Sequence, residues 1–412
     1  MFETKKDVWF YVGRATAYFL LTFFALVMLF PFLYMMFTSF KTSGDVFRFP
    51  PRLLPYSAVT TEVNGEAVTV FEFSIDGRTV EMVNTGERER YGFFTSEELI
   101  NVDQPRQSQT IAEVPLDQAV ETGEVVTLPD SSGGEDEFDV YEVTADGQTQ
   151  RLLLAYRGAK DRFVGLDDPA LEAFAVAGTA TPKEVVDFQI NNYDVVFNLQ
   201  GLNRALVNTS LVTLLVVAGQ LVTSIFGGYA FSRVQFRGRN SLFVVYLGSI
   251  MIPFVVLIIP MYRLMVLLSW QDRIVSLIVP WIFSAYGTFL IRQFFITIPK
   301  DLEEAALLDG ASRLRILWQI FVPLSKPAIA TLAIFSFLYA WNSFLWPLII
   351  INTGNQPNHV LTLALVTLSN IAADRPNLVL TGAAVAILPP VIIFVMAQKY
   401  FIQGVATSGV KG

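Results

Sequence analysis

The sequence predicts an α-helical polytopic membrane protein with six transmembrane helices and a β-rich extracytoplasmic insert between helices one and two. Three observations carry this reading. Only 16% of the 412 residues are charged while 53% are hydrophobic, against about a quarter charged in an ordinary soluble domain. Six windows of helix length hold no charge at all. The charge that exists is unevenly placed: residues 51–190 hold 27 acids and 10 bases, a net −17, and the rest of the chain holds 10 acids and 19 bases, a net +9.

A spanning helix needs about 20 mostly apolar residues, and a charged side chain at its centre costs about 2.5–3.5 kcal/mol on insertion scales. The charge-free windows are Ala15–Phe40, Ala205–Ser232, Asn240–Tyr262, Ile274–Ile291, Ala328–Ile351 and Pro376–Gln398. The fourth is short and continues through Arg292, whose long side chain is expected to snorkel towards the interface. Residues 1–50 combine lysines with an apolar run longer than a signal-peptide core and no small-residue cleavage site, so they read as a retained anchor and first transmembrane helix. Thirteen Lys and Arg fall on the side of the N-terminus and three, Arg263, Arg273 and Arg375, in the two short loops opposite. The bias places both termini in the cytoplasm of a multi-pass protein of the cytoplasmic membrane, with residues 51–187 outside.

That insert is acidic and strand-patterned. "VTVFEFSIDGRTVEMV" turns at Asp76-Gly77 and "FDVYEVTADGQTQRLLLAY" at Asp146-Gly147, two Asp-Gly hairpin signals that hint at a doubled unit. The segment Asp130–Asp139 reads as a flexible acidic loop. The acidity reads as a solvated surface, with a docking platform for a soluble partner as the sharper alternative. No spacing matches a calcium hand or a catalytic cluster, and neither a metal nor a cofactor is expected. The absence of cysteine excludes disulfides and thiol chemistry.

Residues 188–412 form the remaining five helices, interrupted by a polar loop at about 299–327. It reads as two short helices joined at a glycine. Asp301 with Glu304 suits a capping box. Leu302, Ala305, Ala306 and Asp309 share a face, and Gly310 suits a left-handed helix stop. Ser312 suits the second helix's cap, Leu314, Leu317, Trp318 and Phe321 its apolar stripe, and Pro323 and Pro327 its end. Taken alone, Glu304 could merely cap its own helix.

The whole string resembles the signature of the membrane subunits of binding-protein-dependent ABC importers: Glu-Ala-Ala, three residues, Gly, nine residues, Ile, one residue, Leu-Pro. Here it is Glu304-Ala305-Ala306, Gly310, Ile320, Val322 and Pro323, with Val322 in place of Leu. "NNYDVVF", "GGYAFSRVQFRGRN", "MIPFVVLIIPMYRL", "GTFLIRQFF", "YAWNSFLWPL" and "SGVKG" resemble carbohydrate-importer permeases of the maltose-transporter type. The resemblance covers about 1–50 and 188–412; the insert is larger than this subunit type usually carries, and Ser343 stands where Asp is common.

The resemblance implies a non-catalytic permease subunit that translocates a sugar, a disaccharide or oligosaccharide, by alternating access. It implies that Glu304, Ala305, Ala306, Asp309, Gly310, Ile320 and Pro323 form a coupling helix seated in a cleft of a separate ATPase. Implied partners are a homologous second permease, two ATPase subunits and an extracytoplasmic sugar-binding protein. The residues agree in one respect: the chain has no Gly-Lys pair and hence no phosphate-cradling loop, so energy must arrive through contact.

Gln220 is the candidate for the substrate pathway in window two because an amide both donates to and accepts from hydroxyls. Trp341, Asn342 and Ser343, with Trp346, combine aromatic faces and polar groups in window five, although interface anchoring accounts equally for the tryptophans. Thr209, Thr223 and Ser224 suit helix–helix hydrogen bonds, and Asn208 suits either protein or a water-filled path. Tyr229 and Trp281 suit interfacial belts, Gly227-Gly228 suits close helix approach, and Pro389-Pro390 suits a kink. The single histidine, His359, lies in an outer loop without partners for zinc. Two rival readings are an ion-driven secondary transporter and a membrane-anchored receptor. The first needs an intramembrane charge relay that the windows lack; the second requires neither six spans nor the glycine-hinged loop.

Overall fold

The computed structural model describes residues 8–75, 77–145, 147–176 and 178–409, which form two units, 1–55 with 188–412 and 56–187. In an apolar solvent every backbone N–H and C=O must find its partner within the segment, so long apolar runs become helices. The first unit contains α1 (Val8–Thr38), α2 (Ser43–Val46), α3 (Asn191–Asn198), α4 (Leu202–Arg233), α5 (Arg239–Gly248), α6 (Phe254–Leu267) and α7 (Ala285–Thr297). It continues with α8 (Lys300–Leu308), α9 (Arg313–Ile316), α10 (Val322–Leu324), α11 (Lys326–Trp341), α12 (Leu345–Ile350), α13 (Leu361–Ile371) and α14 (Pro376–Gly409).

Among the described residues five helical runs are long and apolar enough to cross a membrane, or six if the bent pair 239–251 and 254–267 is one span. That pair turns through 97°. Pro253 causes the break: the residue before a proline is pushed out of helical geometry, and Ile252 and Pro253 both have extended ψ, 113° and 132°. The fourth window opens as 3₁₀ turns at Ile274–Leu277 and Val279–Trp281. It becomes α-helical only at Ala285, where the Ser284 hydroxyl accepts the Gly287 N–H at 2.9 Å. The apolar α13 is too short to register as a span in the sequence. It buries Leu361, Leu363, Ala364 and Leu368. α14 runs without interruption through Pro389 and Pro390.

The close contact that organises this unit is α4 against α7. A Cβ on Gly228 would lie 2.7 Å from Ile291 Cγ2 and 3.0 Å from the Arg292 backbone nitrogen, so only glycine allows this approach. Arg292, half-buried, donates from Nε to the Phe231 carbonyl at 3.2 Å and lies over the Phe243 ring. Tyr229 is no belt residue. It is buried edge-on to Phe321 and Phe295, where ring burial outweighs interfacial solvation. Trp281 packs against Phe254, Trp346 and Tyr339.

The threonines make the expected polar ties, but Ser224 does not: its buried hydroxyl has no hydrogen-bond partner among the described residues. Asn208 donates to the carbonyls of Pro357 and His359, and the Thr209 hydroxyl accepts the Leu361 N–H at 2.7 Å. The Thr223 hydroxyl donates to the Ile282 carbonyl. His359 itself is fully buried. Beyond α1, Lys41 is also fully buried: its ammonium donates to the Arg52 carbonyl, lies 3.8 Å from Asp45 and faces the Tyr34 ring. Asn192 and Asn377 both donate to the Lys41 carbonyl, tying α3 and α14 to this turn.

Among the described residues the second unit has eleven strands, from β1 (Tyr56–Ala58), β2 (Thr60–Val63), β3 (Glu66–Ile75), β4 (Arg78–Thr95) and β5 (Ala112–Pro115) to β6 (Val120–Pro129). β7 (Glu135–Ala145), β8 (Gln148–Gly165), β9 (Glu172–Val176), β10 (Thr181–Pro182) and β11 (Glu184–Val186) complete it. A nine-stranded sheet runs β10-β3-β4-β8-β7-β6, with β2 on β3, β5 on β4 and β9 on β8; β1 and β11 pair separately. The two expected hairpins are there, Ile75 pairing with Arg78 and Ala145 with Gln148. Asp76 and Asp146, at their turns, lie outside the described residues, as does Val410–Gly412 of the C-terminal motif. Their long strands β4 and β8 pair antiparallel at the centre. A third hairpin, unannounced above, turns at Asn64-Gly65, both in the left-handed region with φ 55° and 85°, as a two-residue type I′ turn requires.

The acidic loop expected at 130–139 is instead a tight turn and the start of β7. Asp130 accepts the N–H groups of Ser132 and Gly134, and Glu135–Pro129 pairing begins at once. Alternation puts Tyr141, Val143, Leu152 and Leu154 in one apolar cluster and Phe138, Val140 and Leu153 in another, the two-residue period of a sheet.

Candidate functional site

The polar loop after α7 is built from α8, a glycine turn and α9. Its first helix is not opened by a capping box. Pro299 is the N-cap, without a side-chain hydrogen bond, and Asp301 already lies inside the first turn. Proline's fixed φ suits a helix start, and Asp301 and Glu303 complement the helix dipole there. α8 ends as expected. The N–H groups of Asp309, Gly310 and Ala311 return to the carbonyls of Ala305, Leu307 and Ala306, and Gly310 sits at φ 80°, a C′ position that suits glycine. The Ser312 hydroxyl caps α9 by accepting the Arg315 N–H at 3.3 Å.

Beyond α9 the chain stays helical. Residues 317–321 widen into a π-turn and continue into α10 and α11. Neither proline ends a helix: Pro323 lies within the continuous helical run just after the π-turn, and Pro327 sits in the first turn of α11, where its missing N–H costs nothing. The expected stripe is split. Leu317 and Phe321 are fully buried with Ile316, while Leu314 and Trp318 are exposed.

The loop has two faces. Glu304, Ala305, Asp309, Gly310 and Pro323 are exposed, and Ala306 and Ile320 are half-buried against Ile316, Leu317 and Phe321. Glu303 was not singled out in the sequence, and it is the buried carboxylate. Its oxygens lie 3.7 Å from Arg233 Nη1 and 3.9 Å from Arg313 Nη1, and it accepts from the Tyr229 hydroxyl at 3.4 Å. The available signal was the acid–base match between Glu303 and the last residue of α4, which sequence separation hides.

The four pathway candidates do not meet in one place. Gln220 lines a cavity of about 930 Å³ together with Trp281, Tyr286, Ser336 and Tyr339. Both ends of its amide are engaged, Nε2 donating to the Trp281 carbonyl at 2.8 Å and Oε1 accepting from Ser336 at 2.6 Å. Trp341 stacks on Phe337 and donates from its indole to the Ala386 carbonyl, and with Ser343 it lines a smaller pocket that shares Trp281 and Tyr339 with the first. Ser343 accepts from Thr362 through its carbonyl, and the exposed Asn342 folds back on the Leu338 carbonyl. Trp346 is buried with its indole on the Ser276 carbonyl. These tryptophans are internal braces. The i, i+3 pair Ser336 and Tyr339 was the sequence signal for the cavity wall.

Residues 220–407 match the family of binding-protein-dependent transport system inner membrane components. The arabinooligosaccharides transport system permease protein AraQ of Halalkalibacterium halodurans is 34% identical over 224 residues, 54% of this chain and 80% of that protein. This chain belongs to that family of inner membrane transport components. A second relative of the transport component, the sn-glycerol-3-phosphate transport system permease protein UgpE of Rhizobium meliloti, is 36% identical over 203 residues, 49% of this chain and 72% of that one. A solved bacterial ABC transporter for alginate import is 25% identical, with a TM-score of 0.46, over 54% of this chain and 82% of its own. As a transport component the chain is a membrane permease, and the exposed face of α8 and the cavity beside Gln220 are its two candidate working surfaces.

Proposed function

We propose that this permease is one subunit of an ABC importer for an uncharged oligosaccharide, driven through its α8 elbow by a separate ATPase. The observation that carries the proposal is the division of the elbow into a buried face and an exposed face. Glu304, Ala305, Asp309 and Gly310 are presented outward on a short helix whose other side is held by Glu303, Ala306 and Ile320. A surface of small side chains on a fixed turn suits a protein cleft, and rigid-body motion is how such a contact would pass closure to the attached helices.

In this reading the bent pair α5–α6 counts as one of six spans, both termini are cytoplasmic and residues 51–187 lie outside. A homologous second permease, two ATPase subunits and an extracytoplasmic binding protein complete the assembly. The solute path runs by the cavity at Gln220, Ser336, Trp281 and Tyr339, with Trp341, Asn342 and Ser343 supporting its wall from behind. Relatives are named for arabinooligosaccharides and for a glycerol phosphate. The residues lining the cavity include aromatic rings, hydroxyls and an amide and no Lys or Arg, which favours a neutral sugar over a phosphate ester. The test is ATP-dependent uptake by proteoliposomes holding the assembled transporter. Labelled oligosaccharide should enter and glycerol 3-phosphate should not; the reverse preference would refute the proposed substrate.

A further inference from the structure

Arg233 is the last residue of α4 and stands where three other elements converge. Its guanidinium donates to the carbonyls of Phe295 and Ile298 at the end of α7, through contacts to Nη2. Nη1 faces Glu303 of α8 at 3.7 Å, and the guanidinium carbon lies 4.9 Å from the centre of the Phe321 ring in the π-turn. The Arg233 and Glu303 side chains are only 5% and 11% exposed. Few residues could make these contacts at once: the flat fork of an arginine reaches two carbonyls and a carboxylate together, while a lysine offers one point charge.

We infer that Arg233 is the positioning residue that makes the elbow one rigid piece with α4 and α7, so that force applied at the exposed face of α8 moves both helices together. This rests on the coupling reading above. The Phe295 carbonyl already takes the Ile298 N–H at 3.3 Å, and the guanidinium adds a charged donor to it and to the Ile298 carbonyl where α7 ends. Arginine does this while clamping the next helix by charge. Glu303 closes the arrangement from α8, with Arg313 at 3.9 Å as its second, more exposed neighbour. The carboxylate that faces inward thus has a mechanical task distinct from that of Glu304, which faces outward.

The experiment uses the complete reconstituted transporter and reads sugar molecules imported per ATP hydrolysed, together with subunit stoichiometry. R233M and E303Q should each keep the ATPase bound and hydrolysing while lowering that ratio at least about fivefold, the lower end of usual coupling between sites. R233K should recover part of the loss, and the R233M/E303Q double variant should be no worse than either single one. An unchanged ratio in R233M or E303Q, or fully additive losses in the double variant, would overturn the inference. If R233M does not assemble, E303Q, which keeps size and hydrogen-bonding capacity, decides alone. Failure of the wild-type assembly to import anything on ATP would instead refute the proposed function and is recognised by that control.

Discussion

Glu303 and Glu304 are neighbours in sequence and point to opposite surroundings: Glu303 is buried within reach of Arg233, Arg313 and Tyr229, and Glu304 is exposed on the outer face of α8. One carboxylate holds the elbow to its own helices and the next stands exposed on the proposed contact face. The two should therefore respond differently to the same substitution. Glu303→Lys puts a second cation beside Arg233 with no counter-charge and should destabilise the chain by about 3–5 kcal/mol, the cost of breaking a buried pair. Glu304→Lys should change stability by less than about 0.5 kcal/mol yet abolish ATP-driven import. Thermal inactivation in detergent and uptake in proteoliposomes separate the two effects.

At Gly310 the backbone rather than the space is restrictive. Nothing lies within 4 Å of an added Cβ, but φ is 80°. Gly310→Ala should cost about 1–2 kcal/mol, the penalty of left-handed geometry for an L-residue, and Gly310→Asn should cost less. Unfolding of the purified variants ranks them.

Gly228 presents the opposite case. A Cβ there meets Ile291 and the Arg292 backbone, so Gly228→Val should part α4 from α7 and cost about 1–3 kcal/mol by overpacking. Crosslinking yield between cysteines placed on the two helices should fall, while Gly248→Ala, where nothing lies within 4 Å, should leave it unchanged.

Asp130 governs acid behaviour of the β6–β7 turn. The Gly134 N–H, then the Ser132 hydroxyl and N–H, hold its carboxyl below the ordinary value of 3.8. Because the folded value is depressed, its contribution is present above about pH 4 and is lost as pH falls through the lower folded value. An isotope-edited infrared titration of the carboxylate should show protonation below the ordinary Asp range. Asp130→Asn should remove that step, and a titration at or above 3.8 would contradict the assignment.

Much of this was legible beforehand because it is local chemistry. Charge-free runs marked the long helices, Asp-Gly pairs marked two hairpins, and Gly310 and Ser312 marked the turn and cap of the elbow. What escaped depended on neighbours distant in sequence. Tyr229 resembles an interfacial tyrosine until α7 and the π-turn close over it. Glu303 is one of two adjacent glutamates until Arg233, seventy residues earlier, selects it. Pro323 and Pro327 look like stops, and only the helical chain around them shows that the first lies within a helical run and the second opens α11. Asp301 lost its capping role to Pro299 because the chain enters α8 two residues earlier than a capping box needs. Gln220 has its amide held on both sides, by the Trp281 carbonyl and the Ser336 hydroxyl, partners 61 and 116 residues away.

The central claim, that work enters this permease through a stiff α8 elbow, is tested most directly with Gly310→Pro in the reconstituted transporter. Proline cannot take φ 80° and removes the N–H given to Leu307. Sugar imported per ATP hydrolysed should collapse although all subunits remain associated. Import at the wild-type ratio in that variant would contradict the account.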